Sequence, residues 1–378
     1  MRSFASPLNQ PLIAWTDRGL YCEAGGFYID PHRAVDLAVV THAHSDHARR
    51  GSKHYVTADS GVGLLRARIG KKISVEARKY GECFRLGDVT VSLHSAGHIL
   101  GSCQVRVECG GEVWVASGDY KRDSDPSCEP FESVRCDTFI TEATFGTPKY
   151  AWRKDARHDE DLSAWWAENA AAERNAIVFG YSLGKGQRIL AEIARAQASA
   201  SAAPPVARAI ARPVLIHSTM IELTECYRAE GRLLAPTRPL DEAIAEARAT
   251  DSPLRGELIL APPSVLDESW ARFLGDYRTA FASGWMQTGG WGRGRYDHGF
   301  VMSDHADWND LNRTIRESGA SRVFVQHRDG ALVRHLRGLG IEAYSADELV
   351  ADRYARLPVK NLDLFAGLGG AARSEVGA

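Results

Sequence analysis

The segment VVTHAHSDHARR, residues 39–50, constrains this chain more than any other feature of its sequence. Three of the 13 histidines fall within six positions, directly after an apolar run, and an aspartate stands between the last two. Neutral imidazole and carboxylate are ligands that zinc and similar ions take in proteins. Just past a strand end, His42 and His44 can bend round one ion, while Asp46 and His47 can reach a second. The segment therefore predicts a binuclear metal site.

Two metal ions need more ligands than this segment carries, and three further candidates follow apolar runs elsewhere in the chain. They are His98 in SAGHILGS, Asp119 in VWVASGDYK and His327 in VFVQHRDG. Asp30 ends the apolar run GFYID and can orient the histidine segment as a hydrogen-bonding partner. A lone histidine or aspartate at a strand end is usually a turn residue. We treat these separate positions as candidate metal ligands only because the cluster at 42–47 already predicts a metal site.

The order of predicted elements divides the chain into parts. Short apolar runs that end in Gly, Asp or His predict strands in the first part. Strands then alternate with helices, as in DLSAWWAENAAAERN followed by AIVFGY, which predicts a parallel α/β unit before the strand-and-loop texture returns. We predict an α/β protein with a first domain over 1–150, an inserted domain over 151–285, a return segment over 286–358 and a loosely ordered tail over 359–378.

Composition bears on compartment and partners. The formal net charge of −2 gives no global basic field, so a nucleic acid would be held by a local patch. No apolar stretch approaches the roughly 20 residues that span a bilayer, and the N-terminus does not resemble a signal peptide. The seven cysteines form no CxxC pair. We therefore expect a cytoplasmic protein with no membrane partner.

HAHSDH, the GH at residue 98 and the GD at residue 119 occur in this order, each after a predicted strand. In this they resemble the metallo-β-lactamase fold, an αββα sandwich. The resemblance implies that Asp30 supports the histidine segment and that Asp119 can bridge two metal ions. It also implies two ligand sets, which are His42, His44 and His98 for one ion and Asp46, His47 and Asp119 for the other.

Motifs later in the chain resemble those of the β-CASP nucleases, a subfamily with that fold. TEATFG places Glu142 at the subfamily's acidic position, while SDHAD and VQHRDG supply His305 and His327 as its two late histidines. The resemblance implies that residues 151–285 form the β-CASP cap domain. One departure is Arg328, which follows His327 where a glycine is expected.

The runs ASGWM, SDHADWNDL and SRVFVQH, with FGYSLGKGQRIL before them, are similar to those of the bacterial ligase-associated DNA exonucleases. Those proteins are encoded beside an ATP-dependent DNA ligase and a helicase. The resemblance implies a DNA-repair exonuclease that takes single-stranded DNA, with RNA as the other substrate class. The imidazole-rich ligand set implies two divalent metal ions. Zinc is the expected metal, and manganese is the alternative.

The predicted site suits hydrolysis of a phosphodiester bond, because two metal ions can activate water and neutralise developing charge. Asp46 is predicted to act at the metal ions. His305, hydrogen-bonded to Glu142, is predicted to protonate the leaving oxygen as general acid.

A second motif predicts contacts to substrate phosphate. FGYSLGKGQR has the pattern of a strand, a glycine loop and a helix start, whose backbone N–H groups can hold an anion. Ser182, Lys185 and Arg188 are therefore predicted to bind a backbone phosphate. The glycine spacing does not match a P-loop, and a plain strand–turn–helix connector is the alternative.

Three other functions stay open on sequence alone. An RNA nuclease, ribonuclease J-like or 3′-end-processing-like, has the same catalytic residues, and recognition of the 2′-hydroxyl cannot be inferred from these motifs. A small-substrate hydrolase of the lactamase or glyoxalase type shares the first motifs, but not the cap or the pair His305 and His327. A non-catalytic scaffold subunit would have lost ligands that this chain retains.

Overall fold

The computed structural model describes residues 11–199, 204–265, 273–289, 294–326 and 330–349. His327 is the one predicted site residue that lies outside the described residues, together with Arg328. The predicted tail, 359–378, also lies outside them. The described part of the chain forms three β-sheets with α-helices, which confirms the predicted α/β class.

The elements of the described residues follow in chain order. The strands are β1 (Ala14–Thr16), β2 (Gly19–Cys22), β3 (Phe27–Ile29), β4 (Leu37–Val39), β5 (His54–Ala58), β6 (Val75–Arg78), β7 (Cys83–Leu86), β8 (Val89–Ser95), β9 (Cys103–Cys109), β10 (Glu112–Ala116), β11 (Thr138–Thr141), β12 (Asn175–Phe179), β13 (Val214–Ile216), β14 (Thr237–Pro239), β15 (Leu258–Ala261), β16 (Tyr277–Ala282), β17 (His298–Phe300), β18 (Arg322–Val325) and β19 (Glu342–Ser345). The helices are α1 (Val62–Ile69), α2 (His158–Ala171), α3 (Lys185–Ala198), α4 (Pro204–Ile210), α5 (Ser218–Ala229), α6 (Leu240–Ala249), α7 (Trp308–Ser318) and α8 (Ala331–Gly338). Among the described residues, no helix has the length and apolarity needed to cross a membrane.

Two of the sheets pack face to face as a sandwich. The first contains β1 to β6 in chain order, and its strands from β3 onward are parallel. The second has the order β19-β18-β11-β10-β9-β8-β7, with a parallel half from β19 to β10 and an antiparallel half beyond it. Phe27 and Val56 of the first sheet meet Val105 and Trp114 of the second in one buried core.

Helices cover the outer faces of this sandwich. On the first sheet, Leu65 and Ile69 of α1 pack against Tyr55. On the second sheet, Leu311 of α7 and Leu336 of α8 lie in a separate buried cluster. Helices therefore lie on the outer face of each sheet, and the layers run helix, sheet, sheet, helix.

The third sheet belongs to the inserted unit, the name used here for residues 158–300. Its strands are all parallel, in the order β14-β13-β15-β12-β16-β17. Every residue of β12 and β15 is buried, as expected for parallel strands covered by helices on both faces. The unit is inserted between β11 and β18, which are parallel neighbours in the second sheet of the sandwich.

The third sheet continues beyond residue 285, where the sequence analysis places the end of the inserted domain. β17 pairs with β16, so the chain leaves the third sheet only after residue 300 rather than at 285. The segment DHGF is a short strand pattern that either unit could use, and its pairing partner is chosen by long-range contacts.

The core of the inserted unit continues into the loops of the sandwich. Ala43 and Ile99 are buried in the same cluster as Leu183, at the turn before α3. They are direct neighbours in sequence of His44 and His98. The inserted unit therefore packs directly on the loops that carry predicted metal ligands.

Candidate metal centre

Five of the predicted site residues lie at one end of the sandwich, where strands of both sheets end: Asp30, His42, His98, Asp119 and Glu142. Asp30 and His42 follow β3 and β4, which are parallel neighbours in the first sheet. Asp119 and Glu142 follow β10 and β11, parallel neighbours in the second. His98 follows β8, which runs in the direction of β10 because both are antiparallel to β9. Carboxyl ends of parallel strands meet at one edge, so these side chains converge.

Four donor atoms meet in the imidazole pocket, the name used here for His42, His44, His98 and Asp119. Nδ1 of His44 lies 3.0 Å from Nε2 of His42 and 3.1 Å from Nε2 of His98. Oδ2 of Asp119 lies 3.6 Å from Nε2 of His42 and 3.7 Å from Nε2 of His98. Ligands of a tetrahedral ion at ~2.1 Å stand roughly 3.4 Å apart, so this spacing fits one divalent ion.

Hydrogen bonds behind the three rings direct their nitrogen lone pairs into the pocket. Nε2 of His44 donates to the carbonyl oxygen of Leu183 at 3.1 Å, and Nδ1 of His98 donates to that of Asp304 at 2.7 Å. Nδ1 of His42 lies 3.1 Å from the hydroxyl of the threonine before it. Each neutral ring then keeps its proton on the outer nitrogen. Three inner lone pairs at such short range repel one another, and a cation between them removes that repulsion.

Burial keeps the rings of this pocket neutral. It lowers the pKa of His42 and His98 well below the usual range, and the neighbouring imidazoles lower both further. Burial also lowers the pKa of His44. Neutral imidazole is the form that binds a metal, so the pocket is ready for a cation at neutral pH.

The acidic pocket, the name used here for Asp30, Asp46, His47 and the shared Asp119, lies beside the imidazole pocket. Nε2 of His47 is 3.4 Å from Oδ2 of Asp119 and 3.5 Å from Oδ2 of Asp46. Nδ1 of His47 donates to Oδ2 of Asp30 at 2.7 Å. Asp30 also accepts hydrogen bonds from the backbone N–H and the hydroxyl of Thr41, at 2.7 and 2.6 Å. Asp30 thus fixes the His47 ring and the start of the histidine segment together.

The acidic pocket gathers negative charge around one imidazole. Burial opposes protonation of His47, but the carboxylates of Asp119, Asp46 and Asp30 outweigh it and raise the pKa of His47 well above its usual range. A divalent ion can take the place of the proton on Nε2, because the same carboxylates stabilise either positive charge. The residues present therefore fit a second cation.

His305 and Glu142 form a pair at the open side of the site. Nδ1 of His305 lies 2.9 Å from Oε2 and 3.1 Å from Oε1 of Glu142. Glu142 is buried and accepts the backbone N–H of Tyr120 at 2.8 Å, whereas the His305 side chain is 22% exposed. Burial opposes protonation of His305, but Glu142 and Asp119 outweigh it and raise its pKa to about 9. This ring therefore carries a proton at neutral pH, unlike those of the imidazole pocket.

Lys185 and Arg188, which the sequence analysis predicts to bind substrate phosphate, have partners inside the protein. Both are buried, at 2% and 3% exposure. Nζ of Lys185 lies 2.7 Å from Oδ1 of Asp304, and Nε of Arg188 lies 3.5 Å from Oδ2 of Asp125. Their charges are neutralised within the fold, so neither side chain is free for a substrate. Ser182 is half-buried on the loop before α3, next to Leu183, whose carbonyl oxygen contacts His44.

Two groups at the site have no signal in the local sequence. They are the carbonyl oxygens of Leu183 and Asp304, which orient His44 and His98. The partners stand 139 and 206 positions apart in the chain. Backbone carbonyls occur at every residue, so only the folded contact distinguishes these two.

The chain is similar in sequence to proteins named as enzymes that act on nucleic acids. No model of a protein family matches it. It is similar to a probable DNA ligase of Opitutus terrae, with 31% identity over 335 residues, which is 87% of this chain and 30% of that protein. A segment of 87 residues is 34% identical to endoribonuclease ysh1 of Schizosaccharomyces pombe, covering 22% of this chain and 12% of that protein.

A segment of 159 residues is 30% identical to a ribonuclease of Thermus thermophilus, covering 35% of this chain and 37% of that protein. The chain thus matches between 12% and 37% of the length of these relatives. Two of them are named for cleaving RNA and one for joining DNA.

Proposed function

We propose that the chain is a metal-dependent nuclease of the metallo-β-lactamase fold family, and that its inserted unit is a β-CASP cap. The imidazole pocket carries this proposal, because the unprotonated nitrogens of two buried imidazoles and one half-buried imidazole converge there with a carboxylate. Asp119 belongs to both pockets, so two ions can be held side by side. The similarity to an endoribonuclease and a ribonuclease supports nucleic acid as the substrate class.

Each part of the site has a task in phosphodiester hydrolysis. Divalent ions in the two pockets would activate a water molecule and neutralise the charge that develops on phosphate. Asp46 and Asp119 hold the negative charge that keeps such ions in place. His305 donates its proton to the leaving oxygen through Nε2, since Nδ1 is held by Glu142.

Zinc is the ion that we propose for the imidazole pocket. Three of its four donors are imidazole nitrogens, which suit zinc, and the donor spacing fits a tetrahedral ion. The acidic pocket offers more carboxylate and is more open, with Asp46 33% exposed. Oxygen ligands suit manganese as well, so manganese is the alternative there.

We propose single-stranded DNA as the preferred substrate and exonuclease cleavage in DNA repair as the activity. The similarity that covers 87% of this chain is to a protein named as a probable DNA ligase. We also propose a functional link to an ATP-dependent DNA ligase, which this similarity supports, and to a helicase, which rests on the motif resemblance alone. RNA is the alternative substrate, because the shorter similarities are to proteins named as RNA-cleaving enzymes.

Ser182 is the one residue of the predicted phosphate-binding set that we retain. Its Oγ lies 3.3 Å from Oγ1 of Thr219, at the carboxyl edge of the third sheet. The loop that carries it also orients His44 through Leu183, so it lies next to the metal pockets. Ser182→Ala should weaken substrate binding by a few-fold, as expected for about 1 kcal/mol from one hydrogen bond. Unchanged affinity would remove Ser182 from the site.

The decisive experiment compares single-stranded DNA and RNA of one sequence, both labelled at the 5′ end. The wild-type protein is loaded with Zn²⁺ or Mn²⁺ and tested beside His44→Ala. His54→Ala is the matched control, because His54 begins β5 at the opposite end of the sandwich and contacts Ser74 there. We expect short labelled products from DNA with the wild type and the control, and none with His44→Ala.

Other outcomes separate the alternatives. Cleavage of RNA alone, with the same dependence on His44, would support the RNA nuclease. Two bound metal ions without cleavage of either strand would reject the nuclease proposal in favour of a small-substrate hydrolase or a scaffold.

A further inference from the structure

We infer that Lys185 and Arg188 are positioning residues for the metal centre, because they fix the backbone segment that orients His98. This inference rests on the proposed metal-dependent function. It gives the inserted unit a part in building the site, beyond covering it.

The orientation of His98 depends on one carbonyl group. Nδ1 of His98 donates to the carbonyl oxygen of Asp304 at 2.7 Å. The His98 side chain is 1% exposed, so water does not offer a substitute acceptor. The direction of this bond determines where the Nε2 lone pair points, and Nε2 faces the donors of the imidazole pocket. A displaced carbonyl would therefore displace a metal donor.

Two cations from the first turn of α3 hold that carbonyl in place. Nζ of Lys185 donates to the carbonyl oxygen of Met302 and to Oδ1 of Asp304, each at 2.7 Å. Nη1 of Arg188 donates to the carbonyl oxygen of Ser303 and lies 3.6 Å from Oδ1 of Asp304. Three consecutive residues, 302–304, are thus tied to one helix. Asp304 cannot shift without breaking charge-assisted hydrogen bonds.

The same helix belongs to a buried network in which positive and negative charges balance. Its members are the cations Lys121, Lys185 and Arg188 and the carboxylates Asp125, Glu192 and Asp304. Buried ion pairs often contribute less stability than apolar residues of the same shape. Their advantage is a fixed geometry, and here that geometry ends at the acceptor of a proposed metal ligand.

The inserted unit also orients a second imidazole. The carbonyl oxygen of Leu183 accepts a hydrogen bond from Nε2 of His44. The next residue, Gly184, has a φ of +87°. A Cβ on Gly184 would lie 2.5 Å from Cγ2 of Ile99, so the loop approaches the sandwich as closely as a glycine allows. Two of the three imidazoles therefore take their orientation from the inserted unit or from the segment it holds. Metal binding and the packing of this unit on the sandwich should stabilise each other.

The test measures zinc affinity by competition with a chromophoric chelator, beside the unfolding temperature of the metal-free protein. Lys185→Met should weaken the binding of one zinc ion by about 10- to 100-fold, as is typical when a partner behind a metal ligand is removed. The second zinc ion, held in the acidic pocket, should bind as in the wild type. Lys185→Arg keeps the positive charge and should recover part of the lost affinity.

Because Lys185→Met leaves Asp304 without its main partner, the variant can fail to fold. The double variant Lys185→Met/Asp304→Asn removes both charges and keeps the network neutral. We expect it to fold and to show the same loss of zinc affinity. The matched control is Lys154→Met, which removes a lysine that joins Asp123 to Asp310 away from the metal pockets.

The outcomes separate this inference from the proposed function. Wild-type zinc affinity in the folded double variant would overturn the positioning role and leave the nuclease proposal untouched. Equal losses in the Lys154→Met control would also overturn it, since the effect would then be general. A third outcome would support the inference and reject the proposed function. In it, the wild-type protein binds zinc but cleaves no nucleic acid, and the Lys185 variants bind zinc more weakly.

Discussion

The imidazole pocket and the acidic pocket each take two residues from one short segment, 42–47, yet their chemistry differs. His42 and His44 turn inward, where burial lowers the pKa of both rings. His47 lies among carboxylates that outweigh burial and raise its pKa well above the usual range. The comparison shows that residue type alone does not decide the state of a ligand. Burial and the sign of the nearest charges do, so one pocket holds neutral lone pairs and the other concentrates negative charge.

The largest effect is expected from removing a donor of the imidazole pocket. His44→Ala should lose the ion proposed for this pocket and reduce cleavage by at least ~10³-fold, because a metal ion supplies several kcal/mol of transition-state stabilisation. Metal content and single-turnover rates measure the two effects. A rate within about tenfold of wild type would mean that this pocket is not the catalytic centre.

A smaller loss is expected in the acidic pocket. Asp46→Ala removes one carboxylate next to His47 and leaves the imidazole pocket intact. Bound metal should fall from two ions to one, with a loss of roughly 10² in rate. Normal cleavage with one ion bound would show that the second ion is dispensable, and the two-metal account would be wrong.

The proton on His305 offers a test that depends on pH. Its pKa is raised from 6.5 to about 9, so the proton donor is present below that value and is lost as pH rises through it. The stability that the pair contributes is likewise complete below 6.5 and lost through about 9. Glu142→Gln removes the main partner while burial persists, so the pKa should fall.

The alkaline limb of the rate profile should therefore begin at lower pH in Glu142→Gln, and activity should fall roughly tenfold for each pH unit above the lowered pKa of His305. Bound cations lower the pKa in both proteins, so the difference between the two profiles is the quantity to measure. Superimposable profiles would exclude His305 as the proton donor.

Within the metal centre, the smallest effect is expected at Asp30, which holds His47 without facing the metal position. Asp30→Asn keeps the side-chain shape, and asparagine tolerates the φ of +45° at this position. We expect about tenfold weaker binding in the acidic pocket and unchanged binding in the imidazole pocket. Titration with zinc resolves the two steps, and an equal loss in both would show that Asp30 supports the whole segment instead.

Local patterns were sufficient for the α/β class, and they named residues that the fold then brings together. Short apolar runs that end in polar residues mark strands and the loops after them, as with Asp119 after β10. Strand β17 lies beyond 285, the predicted end of the inserted domain, and its pairing with β16 is set by tertiary contacts. Patterns of this kind locate elements but do not choose their neighbours.

The sequence by itself determined which side chains could form a metal site, since imidazoles and carboxylates are donors that divalent ions take in proteins. Only the tertiary structure decided which charges are free. Lys185 and Arg188 stand at a glycine-loop helix start, a pattern typical of phosphate binding, yet both are buried against Asp304 and Asp125. A charged side chain takes its partner from whatever the fold brings within a few ångströms, and Lys185 meets Asp304 across 119 positions of chain. No local pattern carries that information.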